Sequence, residues 1–229
     1  MKIAPIIYLI GLLLCILSLF MIIPAFVDWF YGNDDWPAFV GASFITLFVG
    51  SICYLSNKGI ITEHLELRQA FLLTNSAWIS IALFGSIPFM LSEIDMSFTD
   101  AIFESTSGIT TTGATVINNL DTTSHGILIW RALLQWLGGV GIIVMALAVL
   151  PMLSIGGMQL FKTESYETPD KVVPKAASFA AGISMVYISL TTLWALMLWI
   201  AGMPIFDSIA HAMTTIATGG YSTKSESLA

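Results

Sequence analysis

The sequence predicts an all-α, polytopic membrane protein: a two-helix hairpin followed by units of span, half-helix, polar loop and span. Three observations carry this. Of 229 residues, 56% are hydrophobic and only 10% charged, with a mean hydropathy of +0.86, a balance few water-soluble domains show. Five uncharged stretches, residues 3–27, 36–57, 69–92, 132–161 and 176–206, each reach the roughly 20 residues a helix needs to cross the hydrocarbon core. A short polar element also occurs twice, at 98–115 and 206–223, each time after a long apolar span. In a membrane, irregular backbone is tolerated only where protein buries it or where it lines a watery cavity, so a repeated helix-then-loop reads as a pore wall.

The first apolar run follows Lys2 but exceeds the roughly 7–15 residues of a signal-peptide core, and no small-x-small cleavage site follows, which predicts a retained helix. Cys15 and Cys53 fall inside apolar spans and read as small hydrophobes. The net charge of −7 is sorted along the chain. Lys58 and Arg68 occupy the second connection and Lys162, Lys171 and Lys175 the connection after the fourth span, whereas Asp28, Asp34, Asp35, Glu93, Asp95 and Asp121 occupy alternate connections that lack basic residues. The positive-inside rule then places the amino terminus in the cytoplasm. The acidic connections face outward, as a negative vestibule that would concentrate cations.

Two segments are too short to cross and too patterned to be loops. In 98–108, Phe98, Ala101, Ile102 and Phe103 lie near helical spacing, with Asp100, Glu104, Ser105 and Ser107 as polar complement. About ten residues cover half the membrane thickness. Each half-helix, 98–108 and 206–215, runs into a polar loop of small residues, 109–118 and 216–223. Glycine permits the positive φ that lets successive carbonyls point one way, and rings of such carbonyls replace the hydration shell in potassium-selective filters. Thr112-Gly113 and Thr218-Gly219 lie 106 residues apart while Asp100-Ala-Ile and Asp207-Ser-Ile lie 107 apart, which suggests an internal duplication with a one-residue length change in the half-helix. The domains expected are 1–60, the hairpin; 61–160, the first repeat; and 161–229, a connection with an incomplete second repeat.

Three motifs, Phe103-Glu104-Ser-Thr-Ser-Gly108-Ile-Thr-Thr-Thr-Gly113-Ala-Thr, Trp130-Arg131-x3-Gln135-Trp136-x-Gly138-Gly139-x-Gly141, and His211-Ala-Met-Thr-Thr-Ile-Ala-Thr-Gly219-Gly-Tyr-Ser, resemble the TrkH/TrkG/KtrB potassium transporters. The amino-terminal hairpin is similar to the TrkH/TrkG branch. The resemblance implies four potassium-channel-type repeats around one central pore in the bacterial inner membrane, of which this chain holds about two, as an amino-terminal portion. It implies potassium uptake as the ion-conducting subunit of a Trk-type system, with K+ coordinated by backbone carbonyls of Thr111, Thr112 and Gly113 and of Ala217, Thr218 and Gly219. The filter is looser than a potassium channel's, which suggests weaker exclusion of Na+. The resemblance also implies a homodimer, a TrkA-like nucleotide-binding regulatory subunit on the cytoplasmic face, membrane lipid around the spans, and remaining repeats supplied by the same or another chain. No organic cofactor and no nucleic acid is expected. The connection 152–175, with Gly156-Gly157 and the polar run from Lys162 to Lys171, is a candidate contact for the regulatory subunit.

Arg131 is a charge inside an apolar stretch; it either snorkels to the headgroups or, as preferred here, pairs with a pore-helix carboxylate, Glu104 or Asp100, to hold the filter from behind. Glu104 and Asp100 are read as anchors of the half-helix, and His211, at the corresponding place in the second copy, as a buried, hydrogen-bonded imidazole. Gly138, Gly139 and Gly141 suggest close helix packing more than a bending gate, and Trp130 and Trp136 suggest interfacial anchors. His64, His125 and His211 lack metal-ligand spacing, and the sequence has no nucleophile elbow or nucleotide-binding glycine motif, so no transition-metal site and no enzyme chemistry is expected. The alternative function is a non-conducting membrane scaffold or assembly subunit.

Overall fold

The computed structural model describes residues 3–58, 67–153 and 172–227. Among them the regular structure is entirely helical: α1 (Ala4–Phe20), α2 (Ile22–Tyr31), α3 (Trp36–Ser56), α4 (Leu67–Gly85), α5 (Ile87–Leu91), α6 (Phe98–Ile109), α7 (His125–Leu153), α8 (Val172–Ile200) and α9 (Ile205–Ile216), with a 3-10 turn at Leu120–Thr122. Five helical segments are long and apolar enough to cross a membrane: Ala4–Tyr31, Trp36–Ser56, Arg68–Leu91, His125–Ile143 and Ala181–Ile200. The fourth begins at His125, ahead of the uncharged stretch that starts at Ala132, because Arg131 lies inside the helix. The connection 154–171 and His64 lie outside the described residues.

Proline sets the breaks within spans. Pro24 has no N–H for the carbonyl four residues back, and the first span divides at Met21; Pro88 does the same for the third span, which divides at Ser86. Gly32, at φ 73°, closes α2 in a left-handed cap, and a proline in the first turn of α3 starts the return helix. The two helices of the hairpin approach closely where both lack side chains: a Cβ on Gly11 would lie 2.8 Å from the Gly50 carbonyl oxygen. Ser43 Oγ donates to the Ser18 carbonyl at 2.8 Å across the same contact.

α7 is the most enclosed span and α8 the least. The core joins Leu14, Met21 and Phe39 of the hairpin to Phe89, Ala101, Ile127, Leu133 and Leu134 around α7. Large apolar side chains such as Phe44 and Phe48 on α3 and Met185 and Ile200 on α8 face outward, as a lipid solvent requires.

Two expectations are corrected. Trp130 is not an interfacial anchor: it is 0% exposed, and its indole N–H donates to the Gly85 carbonyl at 3.0 Å, beside the Pro88 break. Its partner in that expectation, Trp136, donates to Thr191 Oγ1 of α8 at 3.1 Å. Nor are all outer carboxylates free vestibule charge. Asp28 and Asp35 are buried; Asp28 Oδ1 accepts the Gly126 amide at 2.5 Å, while Asp35 accepts the Glu93 amide at 2.8 Å and the Ser124 hydroxyl at 2.6 Å. Both sit at the start of α7, where its free N–H groups and positive dipole end favour anions. Asp34, Glu93, Asp95 and Asp121 remain exposed.

Candidate functional site

The two half-helices, α6 and α9, are each twelve residues long and end in the same backbone motif. After α6, the Thr111 amide donates to the Gly108 carbonyl at 3.0 Å and the Thr112 amide to the Ser107 carbonyl at 2.9 Å, with Thr111 at φ 56°. After α9, the Thr218 amide donates to Thr215 and the Gly219 amide to Thr214, both at 2.9 Å, with Thr218 at φ 57°. This is the Schellman arrangement, which satisfies the orphan carbonyls of a helix end and normally places glycine at the left-handed position. Here threonine, a β-branched residue for which positive φ is an outlier, occupies it twice. Backbone strain of this kind, of order 1–3 kcal/mol, persists only where surrounding structure imposes it, and clusters at functional sites.

The motif also fixes the register of the duplication. Asp100 with Asp207, Thr111 with Thr218, and Gly113 (φ 82°) with Gly220 (φ 77°) are all 107 residues apart. The pairing of Thr112-Gly113 with Thr218-Gly219 is therefore corrected by one residue, and the half-helices do not differ in length. Gly219 stands where the first copy has Thr112, and Ala217 where it has Thr110.

The loops meet. A side chain on Gly113 would overlap the Gly219 carbonyl oxygen. The carbonyl ends of α6 and α9, each carrying the partial negative charge of a helix C-terminus, thus converge on one place. Behind them runs a single face of α7, on which Arg131, Gln135, Gly138 and Gly139 follow at helical spacing. A side chain at Gly138 would overlap the Ile109 carbonyl, and one at Gly139 would lie 2.5 Å from the Tyr187 hydroxyl and 3.2 Å from Ala217 Cα. A side chain on Gly141 would meet, among the described residues, only Trp78, at 3.8 Å, so Gly141 is not part of this contact.

Arg131 and Glu104 are brought together. Arg131 Nε donates to Glu104 Oε1 at 2.7 Å, with the two side chains 1% and 0% exposed. The carboxylate also accepts from Thr115 Oγ1 at 2.9 and 3.0 Å and from the Val116 amide at 3.0 Å, so it ties α6 to the far end of its own loop. Arg131 Nη1 donates to the Ser222 carbonyl at 3.0 Å, and the guanidinium lies 4.1 Å from the Tyr221 ring centroid. The second copy repeats the geometry with different chemistry: His211 is buried, with Nδ1 2.8 Å from the Asp207 carbonyl and Nε2 3.2 Å from Ser222 Oγ. Glu104 with Thr115 and His211 with Ser222 stand at the same 107-residue offset. Asp100 is not part of the pair; it is exposed in the first turn of α6, where Ser97 caps the helix by accepting the Asp100 amide at 3.2 Å and donates its hydroxyl to the Asp100 carboxylate at 2.7 Å. Outside the spans, a hydrogen bond from the Ser225 side chain and the nearby Lys224 charge hold the exposed Asp121 carboxyl below its ordinary range, linking the residues after the second loop to the turn ahead of α7.

Four contact residues were not nominated from the sequence: Gln135, Tyr221, Thr115 and Ser222. Gln135 had a visible signal, since it falls one turn after Arg131 on the same helical stripe. Tyr221, Thr115 and Ser222 follow the loop glycines and show their contacts only once the loops are folded.

The family of TrkH, cation transport protein, matches residues 36–229. The Trk system potassium uptake protein TrkH of Salmonella typhimurium is 43% identical over 223 residues, which is 96% of this chain and 46% of that protein. The Trk system potassium uptake protein TrkH of Vibrio parahaemolyticus is 42% identical over 231 residues, 100% of this chain and 47% of that protein. The crystal structure of the potassium transporter TrkH from Vibrio parahaemolyticus matches with a TM-score of 0.85 at 40% identity, over 97% of this chain and 45% of that one. The chain spans about half the length of the curated relatives it matches.

Proposed function

Because the chain belongs to the TrkH family of cation transport proteins, we propose that it forms part of the wall of a potassium pore, within the ion-conducting subunit of a Trk-type uptake system in the bacterial inner membrane. The observation that carries the reading is the pair of half-helix ends that meet with threonine held at positive φ in each. Carbonyls of Thr111, Thr112 and Gly113 in the first loop, and of their counterparts Thr218, Gly219 and Gly220 in the second, coordinate the dehydrated ion, with Ala217 leading into the second turn. Glu104, Arg131 and His211 hold these loops from behind, and Asp100 anchors the start of α6.

Residues 1–60 serve as a hairpin that braces the start of α7, 61–160 as one complete repeat, and 161–229 as the connection and opening half of a second. Further repeats complete the ring, a second copy and a TrkA-like subunit assemble with it, and the amino terminus lies in the cytoplasm with Lys58 and Arg68. Uptake requires no covalent chemistry, since the membrane potential supplies about 2.3 kcal/mol per charge per 100 mV. With only one left-handed glycine position shared by the loops, Na+ is excluded less strictly than in a potassium channel. A non-conducting scaffold would have no use for two strained threonines.

The test is growth at low potassium, and rubidium uptake, of cells lacking their own potassium systems and expressing the longest reading frame that carries this chain. Gly113→Ser should abolish uptake while the protein still reaches the membrane. Undiminished uptake by that variant would remove the filter assignment.

A further inference from the structure

Between the two loops lies one buried amide. Gln135 is 0% exposed, packed against Gly219 of the second loop and reaching toward Gly113 of the first. Oε1 accepts the Tyr221 amide at 3.2 Å, in the second loop. Nε2 has no hydrogen-bond partner among the described residues and lies 3.7 Å from where a Cβ on Gly113 would be. A side chain on Gly219 would collide with the same amide, 2.6 Å from Nε2. Tyr221 answers from the other direction. It belongs to copy two, yet its hydroxyl donates to carbonyls of copy one, Glu104 at 2.9 Å or Ala114 at 3.2 Å, and its ring is covered by Arg131.

We propose that Gln135 and Tyr221 are specificity-determining positioning residues, a bracket across the two copies that fixes the separation of the filter loops and so the discrimination of potassium from sodium. The inference rests on the transport reading above. Whether a filter selects by cavity size or by the field of its carbonyls, both depend on how far apart those carbonyls stand. Glu104 and His211 each fasten a loop to its own half-helix, and Arg131 of α7 bonds to Glu104 in one copy and to the Ser222 carbonyl in the other. Tyr221 reaches directly from the second loop to copy one, and Gln135 wedges between Gly219 and Gly113, so the two act on the spacing at the loop glycines themselves. An amide that holds the Tyr221 N–H through Oε1 while its body fills the space between the two glycines is suited to this, whereas an apolar side chain of similar size fills the space without holding the second loop.

The test measures potassium and sodium uptake by the longest reading frame carrying this chain, in cells lacking their own potassium systems, for Gln135→Leu and Tyr221→Phe. The phenylalanine variant keeps the ring under Arg131 and loses only the hydroxyl bonds. The ratio of potassium to sodium uptake is expected to fall about tenfold in each, about 1.4 kcal/mol, with membrane abundance unchanged. A merely structural role lowers uptake of both ions in proportion; an unchanged ratio therefore overturns the proposal. If Gln135→Leu does not accumulate, the ratio in Tyr221→Phe decides alone. Absence of uptake by the unmodified protein refutes the transport reading and this inference together, whereas normal uptake with unchanged ratios refutes the inference only.

Discussion

Replacing Arg131 with leucine removes a guanidinium that makes a 2.7 Å ion pair to Glu104, a 3.0 Å bond to the Ser222 carbonyl and the cover of Tyr221. Removing one member of a buried pair costs roughly 3–5 kcal/mol, because the other charge is left without compensation. The two possible singles are not equivalent here. Without Arg131, Glu104 keeps Thr115 Oγ1 and the Val116 amide as donors, so Arg131→Leu should fall at the low end, about 3 kcal/mol. Without Glu104, the guanidinium keeps one carbonyl and an aromatic face, and the Val116 amide loses its acceptor, so Glu104→Leu should reach about 5 kcal/mol. The double leucine variant leaves no buried charge; the Val116 amide, the Thr115 hydroxyl and the Ser222 carbonyl lose their partners, at about 1–3 kcal/mol for each left unsatisfied. Its cost should therefore fall short of the sum of the two single costs, about 8 kcal/mol. Tryptophan fluorescence during unfolding in mixed detergent micelles, on the longest reading frame, measures all three. Additive costs would refute the reasoning.

Gly138→Ala pushes a methyl group into the Ile109 carbonyl and should cost about 1–3 kcal/mol, while Gly141→Ala, in open contact with Trp78, should be neutral or gain up to about 1 kcal/mol of helix propensity; equal costs in the same unfolding assay would deny the close approach. A Cβ on Gly220 would meet nothing within 4 Å among the described residues, so Gly220→Ala carries only left-handed strain of about 1–2 kcal/mol and should retain part of the rubidium uptake. Gly113→Ala adds a collision with Gly219 and should retain none; matched losses would contradict the close approach of Gly113 to the Gly219 carbonyl. Asp28→Leu leaves the buried Gly126 amide without an acceptor, at about 1–3 kcal/mol, whereas Asp28→Asn preserves one, and indistinguishable stabilities would show that the carboxylate does not brace α7.

The spans and half-helices are readable from sequence because length without charge, in a lipid solvent, admits almost no structure but a helix. The pairing of Arg131 with a carboxylate is readable for the same reason, although choosing Glu104 over Asp100 needs the rotation of α6 about its axis. Register is harder. Gly219-Gly220 offers two alignments to Gly113, and only backbone dihedrals show that the left-handed pair is Thr218 with Gly220. Trp130 misleads because the aromatic-belt rule speaks of depth and says nothing of which side of a helix faces lipid. Asp28 and Asp35 mislead because counting charges does not reveal that the exposed amides of a helix start consume them.

The exchange of Glu104 for His211 at equivalent places has a consequence for how such a wall changes over time. In a channel assembled from identical subunits, every substitution behind the filter appears on all sides at once, and an intolerable one has no milder form. Here the copies share one backbone trace but are encoded separately, and they have already diverged: a carboxylate locked to a guanidinium supports one segment, and a buried imidazole supports the other. Selection can therefore adjust one loop while its neighbour keeps the geometry, a freedom that gene duplication grants and symmetric assembly withholds.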